Sequence, residues 1–135
     1  MIDLNTHGAS FIIVAHSPND VEGWCKVHVQ VETNGFHGET IAWLVTEGLI
    51  SFEKDLGTMM QNIGKDSRAR LCSPKPDLDI QLMMNHLGQI QGTFAIESER
   101  RDGIPTVLSG SFSMDQSFLP TLRRGINDLV KALKG

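Results

Sequence analysis

Histidine, cysteine and carboxylate side chains carry most of the acid–base, nucleophilic and metal chemistry open to a protein, and this chain spaces them poorly for it. Its five histidines are His7, His16, His28, His37 and His86. No two stand four residues apart, as paired ligands on one helical turn would, and none adjoins a cysteine pair. The two cysteines, Cys25 and Cys72, form no Cys-x-x-Cys motif, so no metal is expected. For nucleophilic catalysis, Ser10 lies near His7 and His16, and Cys25 lies near His28. Cys25 and His28 differ by an odd number of positions, which in a strand sends them to opposite faces. A Gly-x-Ser-x-Gly elbow and a glycine-rich phosphate loop are both lacking in the sequence. Asp77 and Asp79 fall two apart on one strand face, where paired carboxylates can do acid–base work. Their place just after Pro74 and Pro76 fits the charged edge of a sheet better. Arg100-Arg101-Asp102 reads as a charged hairpin loop rather than an anion site. No catalytic site and no cofactor are expected.

The elements that hold these residues belong to one domain, residues 1–135. A chain of 135 residues split in two would give each half too little core. It is 40% hydrophobic and 21% charged, an ordinary globular composition. No apolar run approaches the ~18 residues of a membrane span. Asp3 precedes the first apolar run, and no Lys or Arg does, unlike a signal peptide. A cytoplasmic protein with reduced thiols is therefore expected. The net charge is −4, unevenly spread. Residues 1–66 hold three basic groups against nine acidic, a net of −6; residues 67–135 hold nine against seven, a net of +2. Such a balance disfavours a phosphate backbone as partner and suits a basic protein.

Period two marks most of the chain. Residues 10–16 form an apolar run. In residues 23–33, Cys25, Val27, Val29 and Val31 alternate with Lys26, His28, Gln30 and Glu32. Asn34-Gly35 is a hairpin signal, and a strand over 36–45 is expected with Ile41, Trp43 and Val45 inward. Further strands are expected at 68–73, about 78–84, 89–97 and 107–114. The period changes to that of a helix at Leu49, Phe52, Leu56, Met59, Met60 and Ile63, giving a helix over 47–63 with Thr46 as N-cap and Gly64 as terminator. Gly57 inside it suggests a close approach to the sheet. A second helix over 117–133, capped by Asp115 or Ser117, presents Phe118, Leu119, Leu122, Ile126, Leu129, Val130 and Leu133. Pro120 is tolerable near its start. The apolar offsets of the two helices nearly coincide, which points to a duplicated strands-then-helix unit, although amphipathic helices in general share such spacing.

The fold class that follows is α+β. About seven strands form a mainly antiparallel curved sheet, or two abutting sheets, with both helices packed on one face. The other face carries Lys26, His28, Gln30, Glu32, Asp79, Gln81, Met83, Gln89, Gln91, Ser109, Ser111 and Ser113, mostly uncharged polar groups fit to stay wet or to dock a protein.

The layout resembles the WapI family of bacterial immunity proteins. The resembling segments are Trp24-Cys25-Lys26-Val27-His28-Val29, then Trp43-Leu44 leading to Phe52 and Leu56. Gly110-Ser111-Phe112-Ser113-Met114-Asp115, running into Phe118-Leu119 and Leu122, completes the match over residues 10–133. The resemblance implies a non-enzymatic cytoplasmic protein that neutralises the toxic C-terminal domain of a WapA-type contact-dependent toxin, a nuclease among the candidates. It carries over no binding residue. Inhibitors of nucleic-acid-cleaving toxins are often strongly acidic, and −4 is mild. From charge alone, the expected partner-binding residues are Asp20 and Glu22 in a turn, Glu32 and Glu39 flanking the hairpin, and Glu53 and Asp55 on the first helix. A small-ligand or enzymatic domain with a pocket between sheet and helices is the alternative, and a homo-oligomer stays open.

Overall fold

The computed structural model describes residues 1–75, 77–98 and 103–134. Strands β1 (Ile2–Asn5), β2 (Ser10–Ser17), β3 (Trp24–Thr33) and β4 (Phe36–Val45) precede helix α1 (Thr46–Gln61). Strands β5 (Ser67–Cys72), β6 (Leu78–Met84), β7 (Gln89–Glu97) and β8 (Val107–Asp115) follow. A 3₁₀ turn at Gln116–Phe118 then leads into helix α2 (Leu119–Leu133). Each run of four strands is an antiparallel meander in sequence order. The fold is therefore four strands and a helix, twice over. Of the two arrangements expected, one curved sheet or two abutting ones, the described residues form the second, with four strands in each sheet, and β1 is an eighth strand that the sequence reading missed. β1 is only four residues long, and its inward pair, Ile2 and Leu4, gives too short an alternation to notice.

The β3–β4 hairpin shows how local chemistry sets register. Asn34 (φ 47°) and Gly35 (φ 86°) form the two-residue turn that matches strand twist. Thr33 then faces Phe36, and Cys25 faces Leu44. Directly paired residues share a face, so the buried odd positions of β3 draw Thr40, Ala42 and Leu44 inward. Ile41, Trp43 and Val45, expected inward, lie on the outer face instead. A one-residue slip would reverse every one of these assignments.

The inner faces of the two sheets meet around three rings. Phe11 of the first sheet lies 5.4 Å from Phe94 and 5.0 Å from Phe112 of the second, edge-on in both cases. Thr40 Oγ1 donates to the Glu97 carbonyl (2.9 Å), and His7 forms a two-way backbone bridge with Ser113. The helices lie side by side, with α1 against β5 and α2 over β1 and β2. Leu49, Phe52, Leu56 and Met59 of α1 join Leu122, Ile126, Leu129 and Leu133 of α2 in the same core as both sheets. Met59, Leu56, Phe94, Phe112, Leu122 and Ile126 are all buried in it.

Some local expectations fail for tertiary reasons. Thr46 is not the cap of α1: its hydroxyl donates to Asn19 Oδ1 at 2.6 Å, and its N–H donates to the Gly23 carbonyl. Asn19 also donates its N–H to the Leu133 carbonyl at 2.8 Å, so one loop ties the start of α1 to the end of α2. α1 closes at Gln61, with the Asn62 N–H returning to the carbonyls of Thr58 and Met59, ahead of Gly64. Ile63 lies beyond the helix and is 52% exposed. Gly57 does make room for a neighbour, but the neighbour is the Arg123 guanidinium of α2, about 3.0 Å from where a Cβ would sit, and not the sheet. Asp115 caps the 3₁₀ turn by accepting from the Ser117 N–H, and Pro120 stands in the first turn of α2, where its missing N–H costs nothing. Arg100-Arg101-Asp102 and Pro76 lie outside the described residues. Among the described residues, no helix is long and apolar enough to cross a membrane.

Candidate functional site

The first sheet's outer face follows from its inner one. A valine stripe on β3 faces the core, so Trp24, Lys26, His28, Gln30 and Glu32 must face away. Cross-strand pairing sets Glu32 against His37, Gln30 against Glu39, His28 against Ile41 and Lys26 against Trp43. Near the hairpin tip these groups touch. His37 Nδ1 lies 3.6 Å from Glu32 Oε1, and His37 Nε2 lies 3.5 Å from Glu39 Oε2. His28 Nε2 comes within 4.0 Å of the same Glu39 oxygen, which also accepts a hydrogen bond from Gln30 Nε2 at 3.3 Å. Two carboxylates, two imidazoles and an amide thus form one polar cluster open to solvent.

Beside the cluster, an open groove of about 470 Å³ runs between the β1–β2 turn and the hairpin tip, with Glu32, Thr33, Phe36 and His37 on one side. Thr33 Oγ1 donates to the Gly8 carbonyl at 2.7 Å, pinning one wall to the other. Phe36 stands on the rim, 67% exposed. Toward the far end of the sheet the character changes. Trp24 packs edge-on to Trp43 at 6.3 Å, and the Lys26 ammonium sits 4.4 Å above the Trp43 ring. Lys75 approaches the same ring at 5.9 Å. Asp77, half-buried, accepts from the Trp43 backbone N–H at 3.3 Å.

The six acids chosen on charge are scattered. Asp20 and Glu22 are exposed in the β2–β3 loop, where Asp20 Oδ1 accepts from the N–H groups of Glu22 and Trp24. They sit at the opposite end of β3 from Glu32. Asp55 is exposed on α1, while Glu53 is not: its side chain is only 20% exposed and paired to Arg123 of α2. Glycine at position 57, one turn along, leaves the space that Arg123 uses to reach it. Only Glu32 and Glu39 are brought together. The outward Ile12, Ile41 and Trp43 escaped the charge-based reading, and counting outward from the Asn34-Gly35 turn would have found Ile41 and Trp43.

The remaining candidate chemistry does not assemble. Cys25 faces the core, its thiol donating to the Leu44 carbonyl, and burial pushes its pKa up despite a hydrogen bond with Thr46; His28 faces the other way. Ser10 Oγ donates to Asn5 Oδ1 and not to a histidine. Asp77 and Asp79 part company, for Asp79 takes a two-pronged contact from Arg70 at 3.0 and 2.9 Å on the second sheet's outer face. Among the described residues, no three His, Cys, Asp or Glu side chains are grouped as metal ligands. Between the sheets and helices, the gap lined by Phe11, Phe52, Ile80 and Leu122 measures about 10 Å³. A cavity of that size is at the lower limit for a single water, about 10–15 Å³, and admits nothing larger.

Comparison with known proteins places this geometry. Residues 2–134 match the immunity protein WapI-like family. Among solved structures, a chain of the CdiA-CT/CdiI toxin and immunity complex from Enterobacter cloacae aligns at 16% identity with a TM-score of 0.44, covering 87% of this chain and 99% of that one. No curated protein matches the sequence. The family match takes in both four-stranded sheets and both helices, and the chain belongs to the immunity protein WapI-like family.

Proposed function

We propose that this immunity protein acts in the cytoplasm by binding a cognate toxin domain non-covalently and holding it inactive, without chemistry on either partner. The observation that carries the reading is the family match over residues 2–134. The charge distribution supports a basic partner, since residues 1–66 hold a net −6. Of the six acids expected to bind, Asp20, Glu22, Glu32, Glu39 and Asp55 are exposed where they can steer an approaching basic surface, whereas Glu53 is engaged by Arg123. A ligand pocket between sheets and helices is disfavoured by the 10 Å³ gap there.

Co-expression with the toxin domain encoded beside this gene is the direct test. The two proteins should co-purify, and cells making both should grow. Rising salt should slow association. Toxicity undiminished by this protein, with no complex recovered, would refute the reading. A complex that forms equally fast at all salt concentrations would leave immunity standing without its electrostatic steering.

A further inference from the structure

We infer that the outer face of the first sheet, from Trp43 to the groove at Glu32–His37, is the surface on which the toxin docks, and that the toxin meets it with an apolar patch flanked by Lys or Arg side chains. This rests on the immunity function proposed above and adds which face is used and what it fits.

The outer faces of the two sheets differ in charge and in apolar surface. The second sheet's carries Arg68 and Arg70 against Asp79, Asp115 and the largely buried Glu97, and Arg70 and Asp79 already neutralise one another. The rest is chiefly Gln81, Gln91, Thr93, Ser109, Ser111 and Ser113, with Met83 and Val107 as exposed apolar groups set apart toward opposite ends of the strands. A face of short hydroxyls and amides is well solvated and offers little to desolvate. The first sheet's outer face differs in both respects. Asp3, Glu32 and Glu39 outnumber Lys26, and the acids gather at the hairpin end. Ile12, Val14, Ile41 and Trp43, with Trp24 packed edge-on to Trp43, give it an apolar middle. Aromatic anchors within a polar rim are where binding energy concentrates in protein interfaces.

Charge complementarity selects the occupant. The partner must offset Glu32 and Glu39 at the hairpin end, where the about 470 Å³ groove can admit a long cationic side chain beside the Phe36 ring. It must avoid placing further cations over Trp43, which already stacks against Lys26. Lys26 and Glu32 are six residues apart on one strand, about 20 Å. The face is therefore polar along its length, and a basic partner can dock in only one direction. Anchoring is rigid, because Thr33 ties the hairpin to Gly8 and Asp77 holds the Trp43 backbone.

The test measures association and dissociation rates with the toxin domain encoded beside this gene, on the full chain and four variants whose folding is checked by circular dichroism and melting temperature. Glu32→Lys/Glu39→Lys should slow association at least tenfold at low salt, and the difference should vanish near 1 M salt. Ile41→Arg should speed dissociation at least tenfold, and Ile41→Ala, the milder change should the first not fold, at least threefold. Met83→Arg, on the second sheet, should leave both rates within threefold of the unaltered protein. If Met83→Arg abolishes binding while the first-sheet variants bind normally, the docking face is wrong although immunity stands. If the unaltered protein does not bind the toxin domain at all, the functional reading fails and this inference with it.

Discussion

β3 and β7 hold the same third place in their sheets, yet they are filled in opposite ways. The core side of β3 is narrow and uniform: Cys25, Val27, Val29, Val31 and Thr33. The core side of β7 alternates large with none at all: Ile90, Gly92, Phe94 and Ile96. The Phe112 ring of β8 lies across Gly92, and the Phe94 ring lies across Gly110, so each ring occupies the place of a missing side chain. Those rings then reach Phe11 of the first sheet. On the solvent side the contrast reverses. β3 displays Trp24, Lys26, His28, Gln30 and Glu32, whereas β7 displays Gln89, Gln91 and Thr93. Two copies of one topology have divided the work. The second sheet supplies the bulky wall of a shared core, and the first, whose inner face is plain, is free to vary outward.

The core shared by the two sheets turns on Phe11, and Phe11→Ala tests it hardest. The ring is 1% exposed and touches both rings of the second sheet. Its loss should cost about 3–5 kcal/mol. Tryptophan fluorescence, which reports only on the first unit through Trp24 and Trp43, should still melt together with far-ultraviolet dichroism, which reports on both. Two separated transitions would show two cores. Leu122→Ala, between the sheets and α1, should cost roughly 2–5 kcal/mol, and a cost below about 1 kcal/mol would contradict its packing.

The asymmetry between ring and glycine can be broken next. A Cβ at Gly92 would lie 2.2 Å from Phe112 Cζ, while one at Gly110 would lie 3.0 Å from the Phe94 ring. Gly92→Ala should therefore destabilise by about 1–3 kcal/mol, Gly110→Ala by less, and Phe112→Leu should recover part of the first loss. Equal effects at both glycines in chemical denaturation would argue against the reciprocal packing.

Smaller still is the ion pair that links the units, Glu53 to Arg123. A double-mutant cycle with Glu53→Gln and Arg123→Gln should give a coupling near 0.5–1 kcal/mol, because the Arg123 side chain keeps 42% of its exposure. No coupling would mean that the helices are held by their apolar faces alone.

The smallest effect falls on Asp115, which has no counterpart at the start of α1. Hydrogen bonds from the Ser117 hydroxyl and N–H hold its carboxyl below the ordinary value of 3.8. A folded pKa below the unfolded one means that stabilisation is present above about pH 4 and fades as pH falls through the lowered value. Asp115→Asn should thus lower the melting temperature slightly at pH 7 and leave it unchanged at pH 2. A difference that persists at pH 2 would assign the effect to packing.

Strand and helix periods were legible because each element buries one face, and burial writes its own repeat into the chain. Val27-His28-Val29-Gln30 can be read without a partner, and so can Leu122, Ile126, Leu129 and Leu133. β1 was not legible, since two inward residues make no period. The facing of β4 was legible in principle, because the two-residue Asn34-Gly35 turn sets every cross-strand pair. Of the candidate site, the outward acids Glu32 and Glu39 could be chosen from charge and alternation. That they meet at His37 follows from the same turn, which sets His37 directly opposite Glu32, but only once its two-residue length is used to fix the register.

Local sequence by itself determined the ten-residue alternation of β3, the hairpin turn, the helical stripes and the lopsided charge, all of them properties of near neighbours along the chain. Only the tertiary structure decided that there are two sheets rather than one, that Thr46 serves Asn19 instead of capping α1, that Gly57 yields to Arg123, and that Glu53 is spoken for. Each of those outcomes joins residues at least 25 positions apart, where the winner is set by which groups the shared core brings within reach of a hydrogen bond, and no local pattern encodes that.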